Sequence, residues 1–500
     1  MIRLQVPSFV FVYCLFTCLL SAEARAELTV IEDAEGQQGL TVFKMTVSPA
    51  AEPVPALKHR LTLRELDLVP GNAATFYMRG STLENRWRAV RKKYGDESDD
   101  WYDIDDVPLD ELPLEKLHDA AAIFGNLTTF CLRPASRCKD CNWGLGLETL
   151  RGMEIYNLLL PEFQESRAYS RILSMLTRLA LAESRYDDAI DYMRMNYRLA
   201  YNVGRGPFFV CGLIGIAEVG MSNLTAIDLI AANDSPNLYW ALTELPNPVV
   251  DLRHSVRIEM SLLQRVITPL ENVEAQNHTT DEWSRILHQA FREFKNAADA
   301  WDLGSLKGLP KHDTFREVLG TALTMLVYPD AKQRLMESGM SAEAVETMPT
   351  AQVILIDTAR EVRRAADELE KWFYLDYPLA HQRMKKAVGA LDRRGVRGGL
   401  GQPLADFLLP AIQAAQTANA RMRWQLNALR TLEALRMHAA EVGRFPASLD
   451  EIEVVPVPRN PITVRHFLYR LDGEIAVLEL PFSDGIPGVS WRFEIQLGEK

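Results

Sequence analysis

Three groups of residues in this chain could do chemistry. Cys138-Lys139-Asp140-Cys141 sets two thiols three apart, with Cys131 just before them and Cys211 far along the chain. Thiols at this spacing work as a redox couple when a helix N-terminus favours the thiolate. They bind zinc when further donors complete a tetrahedron, and outside the cytoplasm they persist as structural disulfides. The flanks show no βαβ pattern and no nearby histidine pair, so a structural disulfide involving Cys138 or Cys141 is expected. Zinc held by Cys131, Cys138, Cys141 and Cys211 stays as the alternative, and the spacing does not choose among the possible pairings.

The second group is Glu218 alone. It lies among Ile214, Ile216, Ala217 and Val219, where burial would disfavour its charge. An arginine partner, Arg194 or Arg198, is expected ahead of a role as general acid, because buried carboxylates are costly unless paired. The third group is Asp251, Arg253, His254 and Glu259 on one helical stretch. Asp251 and His254 are three apart and can share a face. That allows a catalytic His–Asp pair, with a hydrogen bond on the helix surface as the default.

Other patterns exclude more than they offer. Gly204-x-Gly206 has neither a third glycine three residues on nor a strand before it, so it is no dinucleotide fingerprint. Gly304-Ser305-Leu306-Lys307-Gly308 lacks the strand–serine–helix setting of a nucleophile elbow. The acidic run from Asp96 to Asp106 lacks the order of a calcium loop and reads as solvated. No cofactor and no metal is expected.

The elements that must position these residues are mainly helices. Helix-period stretches cover 115–245, 251–300 and 311–441, broken at Gly304 to Pro310, Tyr328-Pro329, Met348-Pro349 and Tyr377-Pro378. The segment through Leu173, Leu176 and Leu179 turns at Ser184-Arg185-Tyr186-Asp187-Asp188 into a helix bearing Met193, Tyr197 and Ala200. So short a connection makes the two helices antiparallel neighbours. Gly204-Arg205-Gly206-Pro207 ends the second, as a C-terminal glycine and a following proline do. Phe208 to Met221 is apolar but short, and it reads as a buried helix. Leu40 to Val47 alternates as one strand ahead of a proline-rich stretch.

From 445 onward prolines exclude helix. Phe467 to Leu471 and Glu474 to Leu480 flank Asp472-Gly473, a two-residue hairpin signal, and Ser490 to Leu497 alternates as a third strand. Phe467, Tyr469 and Leu471 share one face, expected on Leu426, Leu429 and Leu432 of the preceding helix. The fold class expected is therefore mainly α: helical hairpins or a bundle with a small C-terminal antiparallel β-sheet. The expected domains are a signal peptide over 1–26, an extended N-terminal arm over 27–80, a helical domain over 81–400 and the long helix with its sheet over 401–500. The helical domain allows two lobes, with a break near 304–310.

The start of the chain speaks to location. Arg3 precedes an apolar run from Val6 to Leu20, and Ala24-Arg25-Ala26 offers a small-x-small cleavage pattern. Export with cleavage after Ala26 is expected, into a periplasm or the medium, with no transmembrane segment in the mature chain. The 500 residues are 47% hydrophobic and 24% charged, ordinary for a globule with a real core. A net charge of −12 argues against binding nucleic acid or anionic lipid.

Several stretches carry a resemblance. Gly443-Arg444-Phe445-Pro446-Ala447-Ser448-Leu449, Val455-Pro456-Val457-Pro458-Arg459-Asn460-Pro461, Cys141-Asn142-Trp143-Gly144 and Leu245-Pro246-Asn247-Pro248 resemble a group of uncharacterised exported helical proteins of planctomycete-type bacteria. That likeness implies export and a helical fold and brings no activity. The tail, a long helix followed by a small antiparallel sheet, is similar to the body of pseudopilins. Their helix is N-terminal and half in the membrane, whereas this one is internal, which puts filament assembly in doubt. Tyr186, Ala189 and Met193 resemble one tetratricopeptide unit, but no 34-residue period is visible, and repeat folds need at least three units. Together these readings favour a non-catalytic exported protein that binds another protein or an envelope component. The alternatives are an envelope hydrolase centred on Glu218 or on Asp251 and His254, and an accessory of a secretion apparatus.

Overall fold

The computed structural model describes residues 29–32, 39–81, 104, 107–155, 157–158, 160–300, 313–392, 402–480 and 490–498. The signal segment, most of the acidic run, Gly304 to Gly308 and the glycine-rich stretch 393–401 lie outside the described residues.

In chain order the strands are β1 (Thr29–Glu32), β2 (Gly39–Val47), β3 (Val69–Asn72), β4 (Cys138–Asp140), β5 (Leu468–Asp472), β6 (Ile475–Leu480) and β7 (Ser490–Leu497). The helices are α1 (Ala73–Ser81), α2 (Leu114–Leu127), α3 (Arg133–Arg137), α4 (Pro161–Ala182), α5 (Tyr186–Gly204), α6 (Phe209–Ala231), α7 (Tyr239–Glu244) and α8 (Leu252–Val266). They continue as α9 (Thr280–Ala300), α10 (Asp313–Glu337), α11 (Ala342–Thr347), α12 (Thr350–Glu370), α13 (Tyr377–Asp392) and α14 (Gln402–Val442). The fold is mainly α with a small sheet that includes the C-terminal strands.

Helices α4, α5 and α6 pack on one another as successive antiparallel neighbours. Pro161 opens α4, where its missing N–H is no loss. Ser184 closes it in the left-handed region at φ 56°. The Ser184 N–H donates to Leu181 O and the Arg185 N–H to Ala180 O, at 2.9 and 2.8 Å, the paired bonds of a Schellman cap. The turn expected at Ser184 to Asp188 is thus a capped reversal. Gly204 ends α5 as expected but for a different reason, since its φ is not positive. Its use is close approach: a Cβ on Gly215 would lie 2.7 Å from Ala200 O and 2.8 Å from Gly204 Cα. Backbone meets backbone where α5 and α6 cross. Helix α6 is long and apolar enough to cross a membrane, yet 78% of its apolar window is buried against its neighbours.

The sheet is larger and less local than the sequence pattern implied. Its order is β1-β2-β7-β6-β5, and β2 runs parallel to β7, with Phe43 beside Phe493. Residues expected as an extended arm over 27–80 therefore supply two of its five strands, and their last stretch is helix α1 rather than extended chain. The hairpin of β5 and β6 is present, shifted by one residue: Asp472 pairs with Ile475, and the turn residues are Gly473, at φ 65°, and Glu474. Phe467, Tyr469 and Leu471 are more buried than Leu468 and Arg470, so the two faces fall as expected, and Leu426, Leu429 and Leu432 are buried. On the sheet Trp491 meets α14, its ring centroid 5.4 Å from that of Trp424. Trp491 and Phe493 also pack on Phe43, at 5.3 and 4.8 Å. Helix α14 packs in turn on α6, α7, α12 and α13 and so joins the sheet to both groups of helices.

Candidate functional site

Among the described residues Cys131, Cys138, Cys141 and Cys211 form no disulfide. The disulfide expected at Cys138 or Cys141 is absent among the described residues, and strand geometry rules out a bridge between those two. Cys138 starts β4, and three residues of extended chain span about 10 Å, beyond the roughly 4.4–6.8 Å between Cα atoms that a disulfide tolerates. Cys138 Sγ donates to Pro134 O at 3.4 Å and lies against Gly71. Burial pushes the Cys141 thiol up to about 12, although the Ala74 N–H and Arg198 favour its thiolate. Cys211 is sealed under Gly206 in α6, where burial raises its thiol, and Cys131 is buried in the turn of π-helix between α2 and α3. Among the described residues no three His, Cys, Asp or Glu side chains gather in a metal-holding group.

The Asp251 cluster is divided by its helix. Asp251 caps α8, accepting from the Arg253 N–H at 3.0 Å, and its carboxylate is gripped by the Arg253 guanidinium at 2.6–2.9 Å. His254 is exposed; partial burial and the nearby Arg205 and Arg257 hold its pKa down, against a small opposing pull from Asp251. Glu259 faces the other way, into the core. Its Oε2 accepts from the Phe209 N–H at 2.6 Å, at the first turn of α6. A carboxylate suits that helix end, but burial still pushes its pKa up to about 7.

Glu218 is fully buried, as its neighbours imply, but neither expected arginine reaches it. Arg194 pairs with Asp191, and Arg198 donates to the carbonyls of Cys138 and Lys139. The partner is Ser166 on α4, whose Oγ lies 2.6 Å from Glu218 Oε1. Burial drives the carboxyl up to about 8, and the charge of Arg167 only partly offsets it. Around it runs a buried polar seam: Ser166, Ser170 and Ser174 one helical turn apart on α4, Asn196 on α5, and Ser222 one turn beyond Glu218 on α6.

A solvent-facing site lies elsewhere, at the end of the α4–α5 hairpin. Lys58, His59, Ser184, Arg185, Tyr186, Asp187, Asp188, Asp234 and Pro236 line an open recess of about 420 Å³. Its walls are fixed. Arg185 bonds Glu183 at 2.6 Å and also Asp188, and the Tyr186 hydroxyl donates to Asn233 O. The Ser48 hydroxyl donates to Asn233 Oδ1 at 2.9 Å and accepts from the Asp234 N–H at 3.0 Å. His59 Nδ1 sits 3.9 Å from Asp187 Oδ1; burial and Lys58 lower its pKa, so it stays neutral near pH 7. Lys58 and Asp234 have no ion pair among the described residues, and the Asp187 side chain is 95% exposed. The hairpin turn was legible in the sequence, but Lys58, His59 and Asp234 come from remote segments that no local pattern ties to it.

No family model, no curated protein and no solved structure matches this chain.

Proposed function

We propose that this chain is an exported, non-catalytic helical protein that binds another protein or an envelope component, and that it does so through the recess at the α4–α5 turn. The observation that carries the reading is a rigidly held, solvent-open concavity whose rim offers charges with no charged partner: Lys58, Asp187 and Asp234. Groups so placed keep their hydration until a partner replaces it, and complementary charge then sets orientation and the rate of encounter. The acid–base candidates are differently disposed. Asp251 is committed to Arg253 and to capping α8, and Glu218 is closed off from solvent. The segments resembling exported helical proteins agree with a site of action outside the cytoplasm.

A photo-crosslinking residue in place of Asp187 tests this in the native host, with one in place of Glu368, part-exposed near the end of α12, as the control. A discrete adduct at 187 and none at 368 is the expected result. Equal labelling at both positions, or none at 187 in the native envelope, would sink the proposal.

A further inference from the structure

The recess leaves the buried seam between α4, α5 and α6 without a role. We propose that this seam is a proton-operated latch: a neutral Glu218 carboxyl closes the three helices on one another, and loss of its proton loosens them.

The hydrogen count comes first. Ser166 Oγ lies 2.6 Å from Glu218 Oε1 and 2.8 Å from Phe163 O, yet a hydroxyl has one proton to give. A carbonyl oxygen only accepts. Both contacts are satisfied when Ser166 donates to Phe163 and the Glu218 carboxyl donates to Ser166, which requires that carboxyl to be protonated. An ionised Glu218 would leave one of the two contacts without a hydrogen.

The surroundings point the same way. Glu218 Oε2, Ser170 Oγ, Ser174 Oγ and Asn196 Oδ1 are buried and have no partner among the described residues. Asn196 Nδ2 reaches Ser170 O at 3.4 Å, so these atoms belong to one stretch of the three-helix contact. The ionisable groups acting on Glu218 are Arg167 on α4 and Tyr77 on α1, whose hydroxyl accepts from Asn202 of α5 at 3.1 Å. No counter-charge bonds the carboxyl directly, and burying an ionised carboxylate so poorly compensated is strongly unfavourable. Parting α4 from α6 hydrates the carboxylate and the other orphan atoms together, so the opening is one cooperative event.

The direction follows from proton linkage. The closed form holds its proton up to about pH 8, whereas an exposed glutamate loses it near 4.5. Closure is therefore fully favoured in acid, weakens between those two values, and levels off above the higher one.

Hydrogen exchange of peptides from 161–182 and 209–231, corrected for intrinsic rates, reads the opening constant. It should rise by up to about tenfold per pH unit from about pH 5 to pH 7.5. Glu218→Gln should flatten the profile. Ser166→Ala, which removes the acceptor of the neutral carboxyl's proton, should end the rise at lower pH. A wild-type opening constant independent of pH, a wild-type slope retained in Glu218→Gln, or a Ser166→Ala profile identical to wild type would overturn the latch.

Discussion

Arg436 shows what one buried side chain does in this molecule. Its guanidinium pairs with Glu433 at 2.9 Å, and both residues are almost wholly buried. The same group donates to Ser48 O at 3.0 Å and to the carbonyl and hydroxyl of Ser235 at 2.8 and 2.9 Å. Glu433 Oε1 in turn accepts from the Leu238 N–H at 2.8 Å. One residue thus ties α14 to the end of β2 and to the loop after α6. Removing one partner of such a pair strands the other charge, which typically costs about 3–5 kcal/mol. Arg436→Met should lower stability by that amount in denaturant titration, and Glu433→Gln on the same background should restore part of it. A loss under about 1 kcal/mol would mean that water reaches the site, because exposed pairs contribute no more than that. In the sequence nothing local marks these two residues, three apart on a helix, as buried. Their burial comes from segments hundreds of residues away, as it does for the recess. Glu218 was legible as a buried acid because its neighbours in sequence are apolar, but its serine partner was not, since nothing local marks Ser166.

At the scale of elements, the crossing of α5 and α6 depends on how closely two backbones approach. A Cβ on Gly215 would meet Ala200 O and Gly204 Cα, backbone atoms that cannot swing aside. Gly220, on the same helix, has nothing within 4 Å of where its Cβ would be. Alanine adds about 1 kcal/mol of helix propensity at either position. Gly220→Ala should therefore raise stability by up to that amount. Gly215→Ala should lower it by about 1–3 kcal/mol, because overpacking outweighs propensity. Thermal melts of the pair decide it; equal effects at both positions would show that the crossing is not tight. The same comparison marks what sequence could say about elements. Helix periods placed α4, α5 and α14, and the turn glycine placed the last hairpin, because those signals lie within a few residues of one another. Gly204 and Gly206 were legible as a helix end, and only the packed structure separates Gly215, which must be small, from Gly220, which need not be.

For the whole molecule, the decisive contact joins the two ends of the chain. Strand β2 pairs along its length with β7, from Leu40 beside Ser490 to Val47 beside Leu497. Phe43, Trp491, Phe493 and Trp424 then form one aromatic cluster under α14. Neither strand has a partner of this kind near it in sequence, which is why an alternating run at 40–47 read as an isolated arm. Parallel pairing at such separation must wait for the chain between to be ordered, so the sheet should complete late in folding. Until then β7 keeps an open edge, a template for misassembly. Deleting residues 27–48 should expose that edge and uncover Phe493. The shortened chain should lose the near-ultraviolet signal of its packed tryptophans, bind a hydrophobic dye and associate with concentration, while α4, α5 and α6 keep most of the far-ultraviolet helix signal. Phe43→Ala is the milder form of the same test, with an expected loss of about 3–5 kcal/mol. If the deletion variant stayed monomeric with an unchanged tryptophan spectrum, the C-terminal strands would be self-sufficient, and the N-terminal strands would be a covering rather than part of the core.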